Sequence, residues 1–519
     1  MRPQLIGALA LVAACTDPSG PTGPGGAGGA TSSGTGTQTV VSSAQSGTGG
    51  APGLDWSACA LGECATLDVP LDWSAPAGKH IPLFLKHVAA KKTSHGGLWL
   101  LAGGPGFSGA SLEPALAFFQ FYLPDLDIYL LDHRGTGLSA ALSCAGLDVD
   151  FKTLDEAVAA LQTCVAELEV GWGADLVQFN STNAARDLAY AIDLAREPDA
   201  PVFLWGGSYG TRWGLRYLAV APPGQAAGVI LDGVVGESLD ALGMDASVEA
   251  TAHALFDACS AEALCASKLG PDAWSRVGEL LDLVDAGHCP TSLGLDRSAY
   301  AMLLGNLTFL EAGRREAGPA LVYRALRCDA ADQLAIESVA TALFSADGSD
   351  PRFSLPLNLQ IVTSEMLDAA ALPSQAELEA SLAARWAIAG GAPFVRAAYD
   401  AFPHGASEFA GTYPMTATPV LLLAGGLDAR TPAALAAEVN AGLPGSSHQL
   451  VTIPRGGHVV TFSSPLSSGR TCGALLVTQF VDHPGGFLDT SCVDAVRALD
   501  FGAPSIGSFL GVSDAFENP

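Results

Sequence analysis

Residues 202–211 read VFLWGGSYGT, and this stretch decides the fold. Its apolar beginning predicts a short buried strand, and the residues after Gly210 are typical of a helix. Gly-x-Ser-x-Gly at such a strand-to-helix turn indicates a nucleophile elbow, because the flanking glycines permit a turn too tight for side chains. The turn lifts the serine hydroxyl to a helix N-terminus, where developing negative charge is favoured. We therefore predict that Ser208 is a catalytic nucleophile.

Short apolar runs, each followed by Gly or Asp, occur on both sides of this stretch, at 97–102, 127–131 and 228–231. Helix-like segments separate them, and strands that alternate with helices predict a mostly parallel sheet with helices on both faces. In such sheets the active site lies at the carboxyl ends of the strands. The sequence thus predicts an α/β fold whose first core half covers 54–237.

The strand rhythm disappears from 238 to 404, where alanine- and leucine-rich helical patterns take over. It resumes with the apolar runs 419–423 and 448–453. We interpret 238–404 as a helical cap inserted between two halves of the sheet. Residues 405–519 are then the second half of the core.

A serine hydroxyl is a weak nucleophile until a base removes its proton, and the base needs a carboxylate that fixes its tautomer. Asp428 and His458 follow the two late strands, so we expect them at the same edge of the sheet as Ser208. His448 lies at the start of its strand, which is the opposite edge, and His133 lies in a turn before the serine. The predicted triad is Ser208, Asp428 and His458.

Acyl transfer also needs backbone N–H donors for the oxyanion. One should be Tyr209, the residue after the nucleophile. The second should come from the GGPG loop at 103–106, after the first apolar run. Pro105 has no N–H, so Gly104 is the first choice and Gly106 the second.

The first residues have the pattern of an export signal. Arg2 is followed by the apolar run 5–14, and the small residues before Cys15 resemble a bacterial lipobox. We expect 1–14 to be a signal peptide and Cys15 to carry a lipid that anchors the protein to the cell envelope. An ordinary cleaved secretory peptide is the alternative. Residues 15–53 are rich in Gly, Ser and Thr and have almost no charge, which is typical of a flexible tether.

Ten further cysteines form an even set, which in an exported chain indicates disulfides. The sequence alone does not fix their connectivity, and pairing of sequence neighbours is one arrangement. None of the spacings suggests a metal site, and none suggests an organic cofactor. The neighbour pairs are Cys59 with Cys64, Cys144 with Cys164, Cys259 with Cys265, Cys289 with Cys328, and Cys472 with Cys492.

The net charge of −28 argues against nucleic acid as a partner, because clustered Lys and Arg are needed to hold a phosphate backbone. An acidic surface favours solubility. Alternatively, it favours substrates that carry a positively charged amine.

Several stretches together resemble the serine aminopeptidases of the α/β-hydrolase fold, the group of prolyl iminopeptidases and tripeptidyl aminopeptidases. GGPGFSG at 103–109 resembles the loop before the oxyanion hole of that group, and LLDHRGTGLS at 130–139 resembles one of its strand ends. LWGGSYGTRWGLRYL at 204–218 and VILDGVV at 229–235 match the elbow and the strand that follows it. The segment RTCGALLVTQFVDHPGGFLDTSCV at 470–493 resembles the C-terminal segment of the tripeptidyl aminopeptidase-like branch, which supports the pairing of its two cysteines.

This resemblance implies an enzyme that releases residues or short peptides from free peptide N-termini through an acyl-enzyme. Enzymes of the group hold the substrate ammonium with carboxylates of the cap. The stretch 358–365 resembles a family segment that usually carries a cysteine near Ser364, and its last residue, Glu365, is the first candidate for the amine site. Glu237 is the second. An esterase or lipase with the same triad is the alternative, and a surface lipoprotein that binds ligands without catalysis is a third interpretation.

Overall fold

The computed structural model describes residues 54–147, 153–344, 350–405 and 407–517. The predicted signal peptide, the tether and Cys15 lie outside these residues. A nine-stranded sheet forms the centre of the fold, with the strand order β1-β2-β3-β5-β4-β6-β7-β8-β9. The strands are β1 (Ser57–Cys59), β2 (Gly62–Pro70), β3 (His80–Val88), β4 (Gly97–Leu101), β5 (Asp127–Leu131), β6 (Val202–Gly207), β7 (Gly228–Asp232), β8 (Val420–Gly425) and β9 (His448–Ile453).

The sheet is antiparallel at one side and parallel over the rest. The pairings of β1 with β2, β2 with β3 and β3 with β5 are antiparallel. Every pairing from β5 through β4, β6, β7 and β8 to β9 is parallel. All residues of β4, β6, β7 and β8 are buried, as expected for parallel strands covered by helices on both faces. The predicted mostly parallel sheet is confirmed.

Helices cover the sheet and fill a long insertion between β7 and β8. Short 3₁₀ helices lie at Gly109–Ala115, Gly173–Gln178 and Ala241–Gly243. The α-helices are α1 (Leu116–Tyr122), α2 (Leu154–Trp172), α3 (Ser181–Ala195), α4 (Tyr209–Val220), α5 (Met244–Ala261), α6 (Ala263–Leu269), α7 (Ala273–Asp285), α8 (Arg297–Leu307), α9 (Ala317–Arg327), α10 (Ala330–Phe344), α11 (Leu355–Glu365), α12 (Gln375–Ala383), α13 (Ala392–Ala401), α14 (Ala433–Gly442), α15 (Val460–Ser463), α16 (Cys472–Asp482) and α17 (Pro504–Phe509).

The insertion between β7 and β8 contains the helices α5 to α13, and it packs in two ways. Helices α5 to α10 surround a hydrophobic core of their own, in which Phe256, Leu281 and Leu321 are buried. Helix α11 instead packs on the core of the sheet through residues such as Leu357 and Ile361. The predicted helical insertion is thus confirmed, and α11 is one of its elements that pack on the sheet core.

The end of the chain leaves the sheet and packs on the insertion. Phe501, Ile506 and Phe516 are buried in the core of α5 to α10. The guanidinium of Arg324, in α9, donates hydrogen bonds of 2.7–2.9 Å to main-chain carbonyls within 514–517. Residues 405–519, expected as the second half of the core, therefore divide. Strands β8 and β9 belong to the sheet, whereas the last part of the chain completes the core of the insertion.

The ten cysteines of the described part form five disulfides, each between sequence neighbours. In that same part of the chain, no helix combines the length and the apolar character that a membrane crossing requires. The disulfides join Cys59 to Cys64, Cys144 to Cys164, Cys259 to Cys265, Cys289 to Cys328, and Cys472 to Cys492.

Candidate active site

Ser208 occupies a strained turn between β6 and α4. Its backbone has φ 55° and ψ −125°, a conformation that residues other than glycine rarely adopt. A Cβ on Gly206 would lie 2.4 Å from the carbonyl oxygen of Gly210, and one on Gly210 would lie 2.2 Å from that of Leu101. Both glycines are therefore required by close backbone approach. The N–H of Ser208 donates to the main-chain oxygen of Asp232, at the end of β7, over 2.9 Å.

Asp428 and His458 form a direct pair. Nδ1 of His458 lies 2.9 Å and 3.0 Å from the two carboxylate oxygens of Asp428, whose side chain is completely buried. The carboxylate also accepts the N–H groups of Arg430 and Thr431, both at 2.9 Å, and the Thr431 hydroxyl at 2.7 Å. Burial acts to raise the pKa of Asp428, but the His458 ring and the bonds from Thr431 outweigh it and hold that pKa below its ordinary value. The carboxylate is thus ionised and fixes the ring, with Nδ1 as the donor.

The three predicted residues follow β6, β8 and β9, so all lie at the carboxyl edge of the sheet. A Cβ on Gly233 would meet Cε1 of His458 at 3.2 Å, so the ring packs against this glycine. Since the preceding residue, Asp232, binds the N–H of Ser208, the imidazole lies beside the nucleophile turn.

The predicted oxyanion donors come from adjacent strands. Tyr209 is the first residue of α4, and the 103–106 loop follows β4, which pairs with β6. Gly104 has φ 109° and precedes a cis peptide bond to Pro105. The Asn358 side chain, in α11, donates to the Pro105 carbonyl over 2.8 Å, and the Gly106 carbonyl accepts the N–H of Ser354 at 2.9 Å. The start of α11 therefore holds this loop in place.

The Tyr209 phenol is fully buried and has two partners. Nε2 of His133 lies 3.0 Å from it, and the Ser181 hydroxyl lies 2.7 Å from it. Burial lowers the pKa of His133 to about 4, so the ring is neutral at pH 7. Nδ1 of His133 lies 2.7 Å from the carbonyl of Arg134 and donates to it, which leaves Nε2 to accept from the phenol. His133, predicted to lie only in a turn, thus supports the side chain of a predicted oxyanion donor.

Glu365 and Glu237 lie in one buried cluster with two arginines. Nε of Arg212 is 3.2 Å from Glu365, and Nη1 of Arg212 is 3.4 Å from Glu237. Arg216 approaches Glu237 to 2.9 Å, and Glu365 also accepts the N–H of Ser181 at 2.8 Å. None of the four charged side chains is more than 8% exposed. The negative charges of the two carboxylates and the positive charges of the two guanidinium groups thus cancel within the cluster.

An open polar pocket adjoins this cluster. Glu365 lines it together with two further carboxylates, Asp72 and Glu408, whereas Glu237 is not part of its lining. Glu408 pairs with Arg186 at 2.6 Å near the surface. The lining contains no residue of the predicted triad, and the Glu365 side chain is only 4% exposed. The described residues include no group of three or more His, Cys, Asp or Glu placed to hold a metal ion.

The strand order, the strained serine after β6 and the carboxylate–histidine pair after β8 and β9 together define a protein of the α/β-hydrolase class. No protein-family model matches the chain. Over 223 residues the chain is 28% identical to a tripeptidyl aminopeptidase of Streptomyces coelicolor, and equally to one of Streptomyces lividans. The matched region is 38% of this chain and 41% of each relative, so the match spans about two fifths of the relatives' length. The predicted resemblance to this group is confirmed.

Solved structures with the same general fold are more distant in sequence. A proline iminopeptidase of Mycobacterium smegmatis is 14% identical, with a TM-score of 0.33, over 81% of this chain and 99% of that chain. An esterase of Exiguobacterium antarcticum is 12% identical, with a TM-score of 0.29, over 74% of this chain and 90% of that chain. These values are too low to bear on activity, and the fold assignment rests on the strand order and connections described above.

Proposed function

We propose that the protein is a serine hydrolase that works through an acyl-enzyme, with Ser208 as nucleophile, His458 as base and Asp428 as the acid that orients it. The single observation that carries this proposal is the fixed Asp428–His458 pair beside the strained serine turn. A buried, ionised carboxylate on Nδ1 leaves Nε2 of the histidine to take the serine proton.

In the proposed reaction, Ser208 Oγ attacks the substrate carbonyl carbon while His458 accepts its proton. The N–H groups of Tyr209 and Gly104 then stabilise the oxyanion. His458 passes the proton to the leaving amine, the C–N bond breaks, and an ester on Ser208 remains. A water molecule, deprotonated by His458, hydrolyses that ester and restores the enzyme.

For the substrate, we propose peptides with a free N-terminus. The similarity to tripeptidyl aminopeptidases supports this class. Within this proposal Glu365 is the first candidate for the substrate ammonium; the polar pocket that it lines includes none of Ser208, Asp428 and His458. Glu237, which pairs with both Arg212 and Arg216, remains the second candidate.

An esterase with the same triad is the second candidate function. The balanced cluster of Glu237 and Glu365 with Arg212 and Arg216 favours it, since these carboxylates already have cationic partners. The third interpretation is a surface lipoprotein that binds ligands without catalysis. The presence of all three triad residues, in the order serine, acid, histidine along the chain, argues against it.

Hydrolysis of a small panel separates the two enzymatic functions. The panel contains Pro-, Ala- and tripeptidyl-chromophore amides, the same amides N-acetylated, and p-nitrophenyl butyrate. We expect cleavage of the free-amine amides and not of the acetylated ones, which would also give the number of residues released. Cleavage of the ester alone would contradict the peptidase proposal and favour the esterase.

We further propose that the protein is exported and anchored to the cell envelope through a lipid on Cys15. The five disulfides agree with an oxidising compartment. Replacement of Cys15 by serine should move the protein from the membrane fraction to the soluble fraction. An unchanged membrane fraction after Cys15→Ser would rule out this anchor.

A further inference from the structure

Asp232 is a buried residue that contacts the backbone of Ser208 and the backbone that follows His458. It ends β7, the strand between β6, which leads to Ser208, and β8. Its main-chain oxygen accepts the N–H of Ser208 at 2.9 Å. Its carboxylate oxygens accept the N–H groups of Val460 at 2.8 Å and Thr461 at 2.6 Å, at the start of the short helix that follows His458.

The backbone held by this carboxylate is strained. Val459 has φ 56° and ψ 79°, in the left-handed region that a β-branched residue rarely enters. Such a conformation is costly in free energy and persists only where surrounding contacts enforce it. The Asp232 carboxylate accepts hydrogen bonds from the two residues directly after Val459. These two hydrogen bonds therefore hold the turn that contains His458.

We propose that Asp232 is a positioning residue, which fixes the nucleophile turn through its main-chain oxygen and the His458 turn through its carboxylate. The inference rests on the proposed triad function. It adds a residue that touches no reacting atom and acts through the backbone of Ser208 and of the two residues after Val459. Gly233 follows directly and leaves room for the imidazole, because a Cβ there would lie 3.2 Å from Cε1 of His458.

The same carboxylate also carries charge close to the imidazole. Burial raises the pKa of Asp232 to about 6, although hydrogen bonds from Thr461 and Val460 oppose the rise, so the group is ionised above that pH. Asp428 is the other carboxylate beside the ring. Among the described residues, Arg430 follows Asp428 in its loop. Arg315 donates to the carbonyl of Arg455 over 2.7 Å and pairs with the buried carboxylate of Glu316 at 3.4 Å.

The test compares Asp232→Asn with Asp245→Asn in the full chain. Asp245 is a matched control, because its buried carboxylate also accepts two backbone N–H groups, those of Ala389 at 2.6 Å and Gly390 at 3.0 Å, but it lies in the insertion. Burial raises the pKa of Asp245 as well. The readouts are thermal unfolding and the rate at which a fluorophosphonate labels the protein between pH 5 and pH 9.

We expect both variants to lose stability and only Asp232→Asn to lose reactivity. A displaced His458 should slow labelling on the order of 10²-fold, since a misplacement of about 1 Å has that effect on well-oriented catalytic groups. The pH midpoint of labelling should fall in Asp232→Asn, because loss of a negative charge beside the imidazole favours its neutral form. Asp245→Asn should keep the wild-type rate and midpoint.

Three outcomes are informative. If the wild type is not labelled, or Ser208→Ala is still labelled, the proposed function fails and the inference with it. If the wild type is labelled at Ser208 while Asp232→Asn and Asp245→Asn both keep its rate and midpoint, the triad stands and the positioning role is overturned. If Asp232→Asn does not fold, the same comparison is made in Val459→Gly, where glycine adopts the turn without strain. In that background Asp232→Asn should slow labelling relative to Val459→Gly alone, by less than ~10²-fold because the glycine turn is unstrained, and an unchanged rate would overturn the positioning role.

Discussion

Replacement of Glu365 by glutamine should destabilise the protein by breaking the balance of the buried cluster. The Glu365 side chain is 4% exposed, and Arg212 opposite it is 2% exposed. Glutamine keeps an acceptor for the N–H of Ser181 but removes the charge that Arg212 faces. Loss of one partner of a buried ion pair costs about 3–5 kcal/mol. Because Glu237 remains 3.4 Å from Arg212, we expect a smaller loss of about 2–3 kcal/mol in the free energy of unfolding.

Glu408→Gln is the matched control, since it makes the same substitution in the same pocket. Glu408 pairs with Arg186 at 2.6 Å, but the two side chains are 52% and 30% exposed. An exposed pair contributes less than about 1 kcal/mol. Urea unfolding of both variants at pH 7 gives the two losses side by side. If Glu365→Gln costs no more than Glu408→Gln, the reasoning about a buried, balanced cluster is wrong.

The same variant tests the amine site. If the carboxylate of Glu365 binds the substrate ammonium, Glu365→Gln should raise KM for amides with a free N-terminus while KM for p-nitrophenyl butyrate stays unchanged. Equal losses on both substrates would count against an amine-binding role and leave Glu365 with its contribution to stability alone.

Two further predictions concern stability. The pKa of His133 falls from 6.5 to about 4 on folding, so between these pH values the unfolded state binds more protons, and the stability that is present above pH 6.5 is lost as pH falls. Denaturation curves at pH 7 and pH 4 give the free energy of unfolding at each pH. The loss of stability between the two should be smaller in His133→Gln than in the wild type, by up to about 3 kcal/mol. An equal loss in both proteins would refute a buried neutral ring. Cys289 and Cys328 close a loop of 39 residues, against 5 for Cys59 and Cys64. Replacing both cysteines of the longer loop by alanine should lower the free energy of unfolding by about 4 kcal/mol, and replacing both of the shorter loop by about 2 kcal/mol. A larger loss for the shorter loop in urea unfolding would contradict an entropic effect of loop length.

Much of the sheet could be predicted from the sequence, because buried parallel strands are short apolar runs that end in Gly or Asp. The runs predicted at 127–131 and 448–453 coincide with β5 and β9. The strand predicted from the apolar beginning of the 202–211 stretch, residues 202–205, is two residues longer in the structure. It reaches Gly207 because Gly206 and Gly207 still pair with β7. The Asp428–His458 contact also followed from the sequence, since both residues come directly after late strands of one parallel sheet.

Contacts between distant parts of the chain could not be predicted in the same way. Arg212 lies 153 residues before Glu365, and no local pattern links a helix after the nucleophile to a carboxylate of the insertion. Asp232 stood in the quoted VILDGVV stretch, but its contact with Val460 spans 228 residues. The docking of Phe516 on the insertion likewise depends on tertiary packing.

Covalent labelling of Ser208 tests the central claim most directly. The purified full chain is treated with a fluorophosphonate at pH 8, digested and mapped by mass spectrometry, with Ser208→Ala treated in parallel. We predict a single adduct on the peptide that contains Ser208, and no adduct on Ser208→Ala. An adduct that persists in Ser208→Ala, or a wild type that is not labelled, would contradict the assignment of Ser208 as the nucleophile.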